Sequence, residues 1–422
     1  MEEFDKPYKN YDELEEFDKP YKNYDELIEI LVQRGLKIAN KDFAKFLLQT
    51  VGYYPLINGF KKPFLVENNP EKFEQGTTLE DLYNLYIIDS QFQELFLTNV
   101  LYIEKHLANL LGNLIGRYYG VNNFSGNNEE NPNPEVSSYL DANNYQGSRR
   151  YSVLSEVKRQ MGSCKNNPVK YYRENKNHIP PWILTQNLYF GTNIQFYSIQ
   201  KPNIKTAIVQ KMVPIKENEN LGAKKALFSC LTEILRQFRN TAAHFSPMYL
   251  KRATQSNNPS KQTLRFFLGD GIWNDGDPNK LGRNDLYSAL LAIFLLMRDP
   301  AKRKVLLTKL SNLDSSYNQD DNYRRRYRKY LDAASLPFNY INRLKSAEAN
   351  IEVLENSALK LQSQKVGLLK TVYHINGSNV YHKSKNCRYI SSHISSISEM
   401  SEQVALDRGY KACKICDNSN SL

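Results

Sequence analysis

The segment Lys224–His244, with the sequence KKALFSCLTEILRQFRNTAAH, decides the fold class of this chain. Its apolar residues recur at spacings of three and four, which is typical of one buried face of an amphipathic helix. They are Leu227, Leu231, Ile234, Leu235 and Phe238. Pro247 predicts that the helix ends just after His244, which exposes this side chain. We therefore expect a mainly α-helical protein that presents the end of this helix to solvent.

The end of this helix combines Arg239, Asn240 and His244. RNA can be cut without a metal when a base removes the 2′-OH proton, an acid protonates the leaving 5′-oxygen and a cation stabilises the phosphorane. Arginine binds phosphate bidentately, and histidine transfers protons near neutral pH. One histidine does not easily act as acid and base in a single step, so we expect two copies in a dimer. The alternative is structural, with a helix-end arginine and a capping histidine.

The Arg239-Asn240-x-x-x-His244 pattern is similar to the signature of HEPN-type ribonucleases. Other stretches follow the order of the bacterial abortive-infection AbiD/AbiF family, which the chain resembles over residues 19–345. They are GYYPLINGF at 52–60, where Pro55 stands in place of the family's usual arginine, and PPW at 180–182 with FG at 190–191.

This resemblance implies an HEPN-like helical bundle with additional helices and a dimer whose two motifs face each other. It also implies anti-phage abortive infection through cleavage of cellular RNA, in the manner of a toxin restrained by or bound to a small noncoding RNA. No metal is needed for that cleavage. Glu104 occupies the acidic position that the family places beside the motif helix, where it would orient Arg239 or a catalytic group. The alternative for Glu104 is an ordinary surface residue.

The formal net charge of +11 permits a polyanionic partner such as RNA. Two basic groups are candidate RNA-binding residues, although a solvated helical face explains each of them equally well. The first is the cluster Arg324, Arg325, Arg326, Arg328 and Lys329, and the second is the pair Arg149 and Arg150 at the start of a helix predicted over 151–175.

The C-terminal tail contains a set of potential zinc ligands: His382, Cys387, Cys413 and Cys416. Thiolates and imidazole suit tetrahedral Zn²⁺, and the two sulfurs of a Cys-x2-Cys pair bind the same ion. The surrounding residues resemble a small zinc-binding module on the ends of nucleases and DNA-repair proteins. Four protein ligands leave no open position, so we expect a structural ion. His374 and His393 are the replacement ligands if His382 does not bind.

The sequence predicts four segments: a tandem-duplicated N-terminus at 1–27, an α-helical domain at 28–340, a helical linker at 341–369 and the zinc module at 370–422. The two N-terminal copies are identical, which indicates a recent duplication or an artefact. Residues 254–284 are predicted to form a polar insertion. No signal peptide is evident in the sequence. The longest apolar run, 286–297, is too short to cross a bilayer. We therefore expect a cytoplasmic protein without a membrane partner.

Two other functions fit the same residues. The first alternative is a non-catalytic RNA-binding protein that uses the HEPN cleft to hold RNA intact. The second is a DNA-binding regulator that uses the zinc module. The leading hypothesis remains a dimeric, metal-independent endoribonuclease with Arg239 and His244 at a composite site.

Overall fold

A computed structural model describes residues 20–124, 135–254, 258–367, 371–375, 377–391 and 397–418. Within these ranges the protein is mainly helical with two small sheets, as the sequence predicts. The chain divides into two compact units, Met1–Pro214 with Asn218–Ile351 and Ile215–Glu217 with Glu352–Leu422. No helix in the described ranges is both long enough and apolar enough for a bilayer crossing. The first copy of the N-terminal duplication lies outside the described residues.

The first unit begins with two short helices and a hairpin. The helices are α1 (Tyr24–Gln33) and α2 (Lys41–Thr50), and the strands are β1 (Leu65–Asn68) and β2 (Glu71–Phe73). Helix α1 begins inside the second copy of the duplication because Asn23 and Glu26 form a capping box. It therefore starts before the domain boundary predicted at residue 28.

Further helices, from 5 to 41 residues long, form the body of this unit. They are α3 (Leu79–Tyr119), α4 (Arg150–Ser163), α5 (Val169–Asn175), α6 (Pro181–Thr185), α7 (Phe190–Ser198), α8 (Pro202–Met212), α9 (Leu221–Ala243), α10 (Lys261–Leu268), α11 (Leu286–Leu296), α12 (Pro300–Tyr317) and α13 (Asp321–Ala334). The 28 residues Tyr340–Gly367 form α14.

Helix α3 is the centre of the first unit. It runs for 41 residues without a break and begins at a capping box between Thr78 and Asp81. It packs against α6, α9 and α13. Gly112 allows the approach of α6, because a Cβ there would lie 2.7 Å from the Cα of Trp182. The ring centres of Phe96 on α3 and Phe238 on α9 lie 5.9 Å apart, so the two helices pack together at these residues.

Helix α11 is buried along its whole length, which confirms the prediction that the apolar run 286–297 is a core helix. Two other predictions are wrong. Residues 254–284 are not simply polar, because α10 buries Leu264 and Phe267 in the core. The helix predicted over 151–175 is two helices, since Pro168 cannot continue an α-helical hydrogen-bond ladder.

The C-terminal unit contains a four-stranded sheet in the order β5-β3-β4-β6. Its strands are β3 (Thr371–Ile375), β4 (Val380–His382), β5 (Ile397–Ser401) and β6 (Lys411–Ala412). Two short helices, α15 (Glu402–Asp407) and α16 (Lys414–Asn418), accompany the sheet. Strand β3 is antiparallel to β4 and β5, and β4 is parallel to β6. Because β4 and β6 are neighbours, the residues that follow them lie at one end of the sheet.

Candidate active site and metal centre

Helix α9 ends at Ala243, and His244 is its C-cap residue. The N–H groups of Phe245 and Ser246 donate back to carbonyls of the last helical turn, each at 3.1 Å. These are the two bonds of a Schellman motif, in which the residue after the cap is left-handed. Phe245 adopts that conformation with φ of 50°. This turn ends the helix before Pro247 and leaves His244 exposed.

Glu104 and Arg239 face each other from α3 and α9. Oε2 of Glu104 lies 3.9 Å from Nε of Arg239, and their side chains are 16% and 33% exposed. Within the described part of the chain, neither of these two buried atoms has a hydrogen-bond partner. Burial raises the pKa of Glu104, and the charges of Arg239 and Lys105 oppose that shift. A carboxylate at this distance attracts the Arg239 guanidinium.

Arg239 and Asn240 line an open groove with a volume of about 440 Å³. Arg236, one turn earlier on α9, lines the same wall. It donates to both carboxylate oxygens of Glu233, from Nε at 2.8 Å and from Nη2 at 2.6 Å. The other lining residues come from α4, from Tyr189 and from α7. The groove therefore offers an arginine, an amide and an aromatic ring to a ligand.

His244 is not one of the residues that line this groove. A rise of about 1.5 Å per residue places its backbone about 7.5 Å further along the helix axis than that of Arg239. The structure thus brings Arg239 together with Asn240 and Glu104, and it places His244 at the exposed end of the same helix. Each chain therefore contributes one histidine, His244, at the exposed end of α9.

Asp89 holds the segment that follows His244. Its carboxylate accepts hydrogen bonds from the N–H groups of Met248 and Tyr249 and from the hydroxyl of Tyr330, each at 2.9 Å. Burial raises the pKa of Asp89 to about 6, although these hydrogen bonds favour the ionised form. Hydrogen bonds to Asp89 therefore connect the segment after His244 to the central helix α3.

Gln93 reinforces this contact one turn further along α3. Its Nε2 donates to Asp89 at 2.6 Å and to the carbonyl of Ser246 at 3.1 Å. Sequence analysis missed both residues. The available signal was an acid on an otherwise apolar helical face, between the buried Leu85 and Phe92.

The basic cluster 324–329 lies on α13, where part of it is engaged within the chain. Arg326 donates from Nε to Oδ1 of Asp81 at 2.6 Å. Lys329 pairs with Glu74. These contacts tie α13 to the start of α3 and to the residue after β2, so Arg326 and Lys329 have structural partners.

The other cations of this cluster differ in exposure. Arg324 pairs with Asp321 in the first turn of α13 at 2.7 Å. The side chain of Arg325 is 69% exposed and lies 3.6 Å from Asp81. Arg328 lies over the ring of Phe338. Four cations of this cluster form ion pairs, and the side chain of Arg325 is the most exposed of the four.

The second basic pair precedes and begins α4. Arg149 is exposed at the N-terminal end of this helix. The guanidinium of Arg150 lies 4.5 Å from the ring centre of Tyr151 and donates to its hydroxyl at 3.1 Å. Helix α4 also contributes to the groove beside Arg239. The role of both arginines in RNA binding stays a prediction.

His382, Cys387, Cys413 and Cys416 form a buried cluster in the C-terminal unit, and their ligand atoms all lie within 4.8 Å of one another. His382 ends β4, Cys413 directly follows β6, and Cys416 lies on α16. Nδ1 of His382 lies 3.3 Å from Sγ of Cys387 and 3.9 Å from Sγ of Cys416. Ligands around a tetrahedral zinc ion are separated by about 3.3–3.8 Å. The four side chains therefore fit one metal ion.

Of the two replacement ligands, His374 is described by the structure and does not join this cluster. His374 contacts the carbonyl of Ser378 through Nε2 at 2.6 Å, and its ring stacks on Tyr410. His393 lies outside the described residues. His382 is buried, and its pKa is lowered by this burial and by His374, which favours the neutral imidazole that binds metals.

Comparison with known proteins finds one family match, and it lies within the helical unit. The family of Abi-like proteins matches residues 46–250, which include Glu104 and the whole of α9. No curated protein and no solved structure matches the chain. The family suggests a role in abortive infection. Residues 46–250 of this chain thus match the family of Abi-like proteins, while the rest of the chain lies outside that match.

Proposed function

We propose that the first unit is a metal-independent endoribonuclease that acts in abortive infection as a homodimer. One observation carries the proposal: Arg239 lies beside the buried carboxylate of Glu104 at the wall of an open groove. The same helix ends at the exposed His244. Helix α9 thus supplies both Arg239, a cation that can bind phosphate, and His244, a group that can transfer protons.

In the proposed reaction the 2′-oxygen of the substrate attacks the adjacent phosphorus, and the bond from phosphorus to the 5′-oxygen breaks. One His244 accepts the 2′-OH proton, and His244 of the partner subunit donates a proton to the leaving 5′-oxygen. Arg239 binds the non-bridging oxygens as charge builds on the phosphorane. Asn240 positions Arg239 or the scissile phosphate, and Glu104 orients Arg239. The products are a 2′,3′-cyclic phosphate and a 5′-hydroxyl.

The chemistry of the products tests this proposal. Purified full-length protein would be incubated with a labelled RNA, and the fragment ends would be identified by mass spectrometry. We expect cyclic phosphate and 5′-hydroxyl ends. A single 2′-deoxynucleotide on the 5′ side of the cut should abolish cleavage there, because it removes the nucleophile. Cleavage that survives the deoxy substitution rules out the proposed reaction.

The proposal includes a bound RNA that restrains the enzyme. Extraction and sequencing of RNA from the purified protein tests this part separately. One discrete, intact RNA species is the expected result. If His244→Ala changes RNA affinity while no preparation cleaves RNA, the HEPN cleft is a binding site in a non-catalytic protein.

We also propose that the C-terminal cluster holds a structural Zn²⁺. Three thiolates and one imidazole are the ligands that zinc prefers, and they complete its coordination. The ion would stabilise a small unit whose apolar core is limited, and it would take no part in RNA cleavage.

A further inference from the structure

We propose that the groove beside Arg239 binds one unpaired nucleotide of the substrate, with its phosphate on Arg239 and its base stacked on Tyr189. This inference deepens the proposed function and rests on it. It makes the enzyme selective for single-stranded RNA, with little preference for the identity of the stacked base.

The backbone of Tyr189 is fixed, whereas its ring is open to solvent. Its N–H donates to Oε1 of Gln160 at 3.1 Å, and Gln160 is itself buried and donates to Oγ1 of Thr192 at 2.7 Å. The Tyr189 side chain is nevertheless 70% exposed and lines the groove. An aromatic ring on a rigid support can stack on a base at a low cost in conformational entropy.

The charges around the groove direct a phosphate to Arg239. Glu156 also lines the groove, but both of its carboxylate oxygens accept from Arg159, at 2.7 and 2.6 Å. Arg236 is engaged in the same bidentate way by Glu233. The contact from Arg239 to Glu104 has no hydrogen bond. Of the three charged residues that line this groove, Arg239 is therefore the one without a bidentate partner.

The size and openness of the site favour a nucleotide that is not base-paired. The groove volume of about 440 Å³ lies within the roughly 300–1,000 Å³ typical of small-molecule sites. A base inside a duplex is stacked on both faces and cannot offer one to Tyr189. Unpaired RNA can splay a base onto an aromatic side chain. Because every base has a π-face, stacking of this kind tolerates any sequence.

The test measures binding in a background that does not cleave. Full-length His244→Ala would be titrated with a fluorescent single-stranded RNA of about ten nucleotides at fixed salt, since protein–RNA affinity depends on salt. Adding Tyr189→Ala should weaken binding roughly tenfold, and Tyr189→Phe should keep it within about twofold, because stacking needs only the ring. Tyr54→Ala is the matched control. Tyr54 is 76% exposed and lies outside the groove lining.

Abasic RNAs localise the contact. In a series of RNAs that each lack the base at one position, the RNA without the stacked base should bind His244→Ala as weakly as intact RNA binds the double variant His244→Ala, Tyr189→Ala. For this abasic RNA, adding Tyr189→Ala should cause no further loss of affinity. Fully paired RNA should compete at least about tenfold more weakly than single-stranded RNA. Equal binding by His244→Ala with and without Tyr189→Ala, or no measurable RNA binding at all, overturns the inference. If stacking is found but the wild type never cleaves RNA, the proposed catalysis fails while the nucleotide site stands.

Discussion

Oε2 of Glu104 and Nε of Arg239 lie 3.9 Å apart, and in the described ranges both atoms are buried without a hydrogen-bond partner. Burial without hydrogen bonds is costly for charged groups, so their mutual attraction is the compensation available. We propose that this attraction orients the guanidinium at the groove while its other nitrogens bind a ligand.

Glu104→Gln tests the orienting role. The amide keeps the shape but removes the charge that attracts Arg239, so RNA cleavage should fall about ten- to a hundredfold. The substitution removes the cost of burying the Glu104 charge and also removes its attraction to Arg239. Because these two effects oppose each other, the free energy of unfolding should change by less than about 1 kcal/mol. The control is Glu94→Gln, an exposed glutamate on the same helix. Equal cleavage by the two variants would remove Glu104 from the site.

Asp89→Asn should reveal the titration of the buried carboxylate. The pKa of Asp89 is about 6 in the folded protein and about 3.9 in an unfolded chain. A raised pKa means that stability is greatest below the unfolded value and is lost as pH rises through the folded value. The free energy of unfolding of the wild type minus that of Asp89→Asn should therefore fall by about 3 kcal/mol between pH 3.5 and pH 7. Urea unfolding at several pH values measures this difference, and a constant or rising difference would contradict the prediction.

Phe245→Gly should stabilise the helix end. Phe245 has φ of 50° at the position after the cap, where glycine is free of the steric penalty of a Cβ. We expect this variant to be about 1 kcal/mol more stable than Phe245→Ala, which also lacks the ring but keeps the Cβ. Because the ring is 71% exposed, little packing is lost in either variant. Thermal unfolding of the two variants provides the comparison, and equal melting temperatures would argue against strain.

Zinc removal should affect the C-terminal unit selectively. Elemental analysis should find one zinc ion per chain in the wild type and none in the double variant Cys413→Ser, Cys416→Ser. The apparent free energy of zinc binding to small folded modules is about 10–16 kcal/mol, so the unit should become sensitive to proteolysis without the ion. RNA cleavage by the helical unit should persist. A metal-free protein with an intact C-terminal unit would refute a structural ion.

Mixed dimers test whether the site is shared between two copies. Wild type and His244→Ala would be co-expressed in equal amounts and purified together. If cleavage needs both histidines, only the pure wild-type dimer is active, and activity falls to about a quarter of the wild-type value. If each chain acts alone, activity falls to about half.

Local patterns in the sequence predicted a large part of this fold. The spacing of Leu227, Leu231 and Phe238 predicted the buried face of α9, because helical periodicity is a local property. The same holds for Thr78, which caps α3. The four potential metal ligands were predicted from their spacing and from the resemblance of the surrounding residues to a zinc-binding module, and the structure brings them into one buried cluster.

Features that depend on tertiary contacts were missed. Asp89 binds backbone groups that are far away in the sequence, so its place on an apolar helical face indicates burial but not the groups that it binds. Helix α10 was assigned to a polar insertion because its few apolar residues lie among glycines and asparagines. Arg326 belongs to a basic cluster in the sequence, but its partner Asp81 comes from the beginning of α3. Tyr189 was not identified either, since only the fold brings it to the groove that Arg239 lines.

The most direct test of the central claim is cleavage of mixed cellular RNA by the purified protein in EDTA, with Arg239→Ala and His244→Ala in parallel. We expect the wild type to cleave RNA and both variants to lose at least about a hundredfold in rate, because each removes a group that acts in the transition state. Circular dichroism would confirm that both variants remain folded. Unchanged cleavage by either variant, or cleavage that EDTA abolishes, would contradict a metal-independent site built from Arg239 and His244.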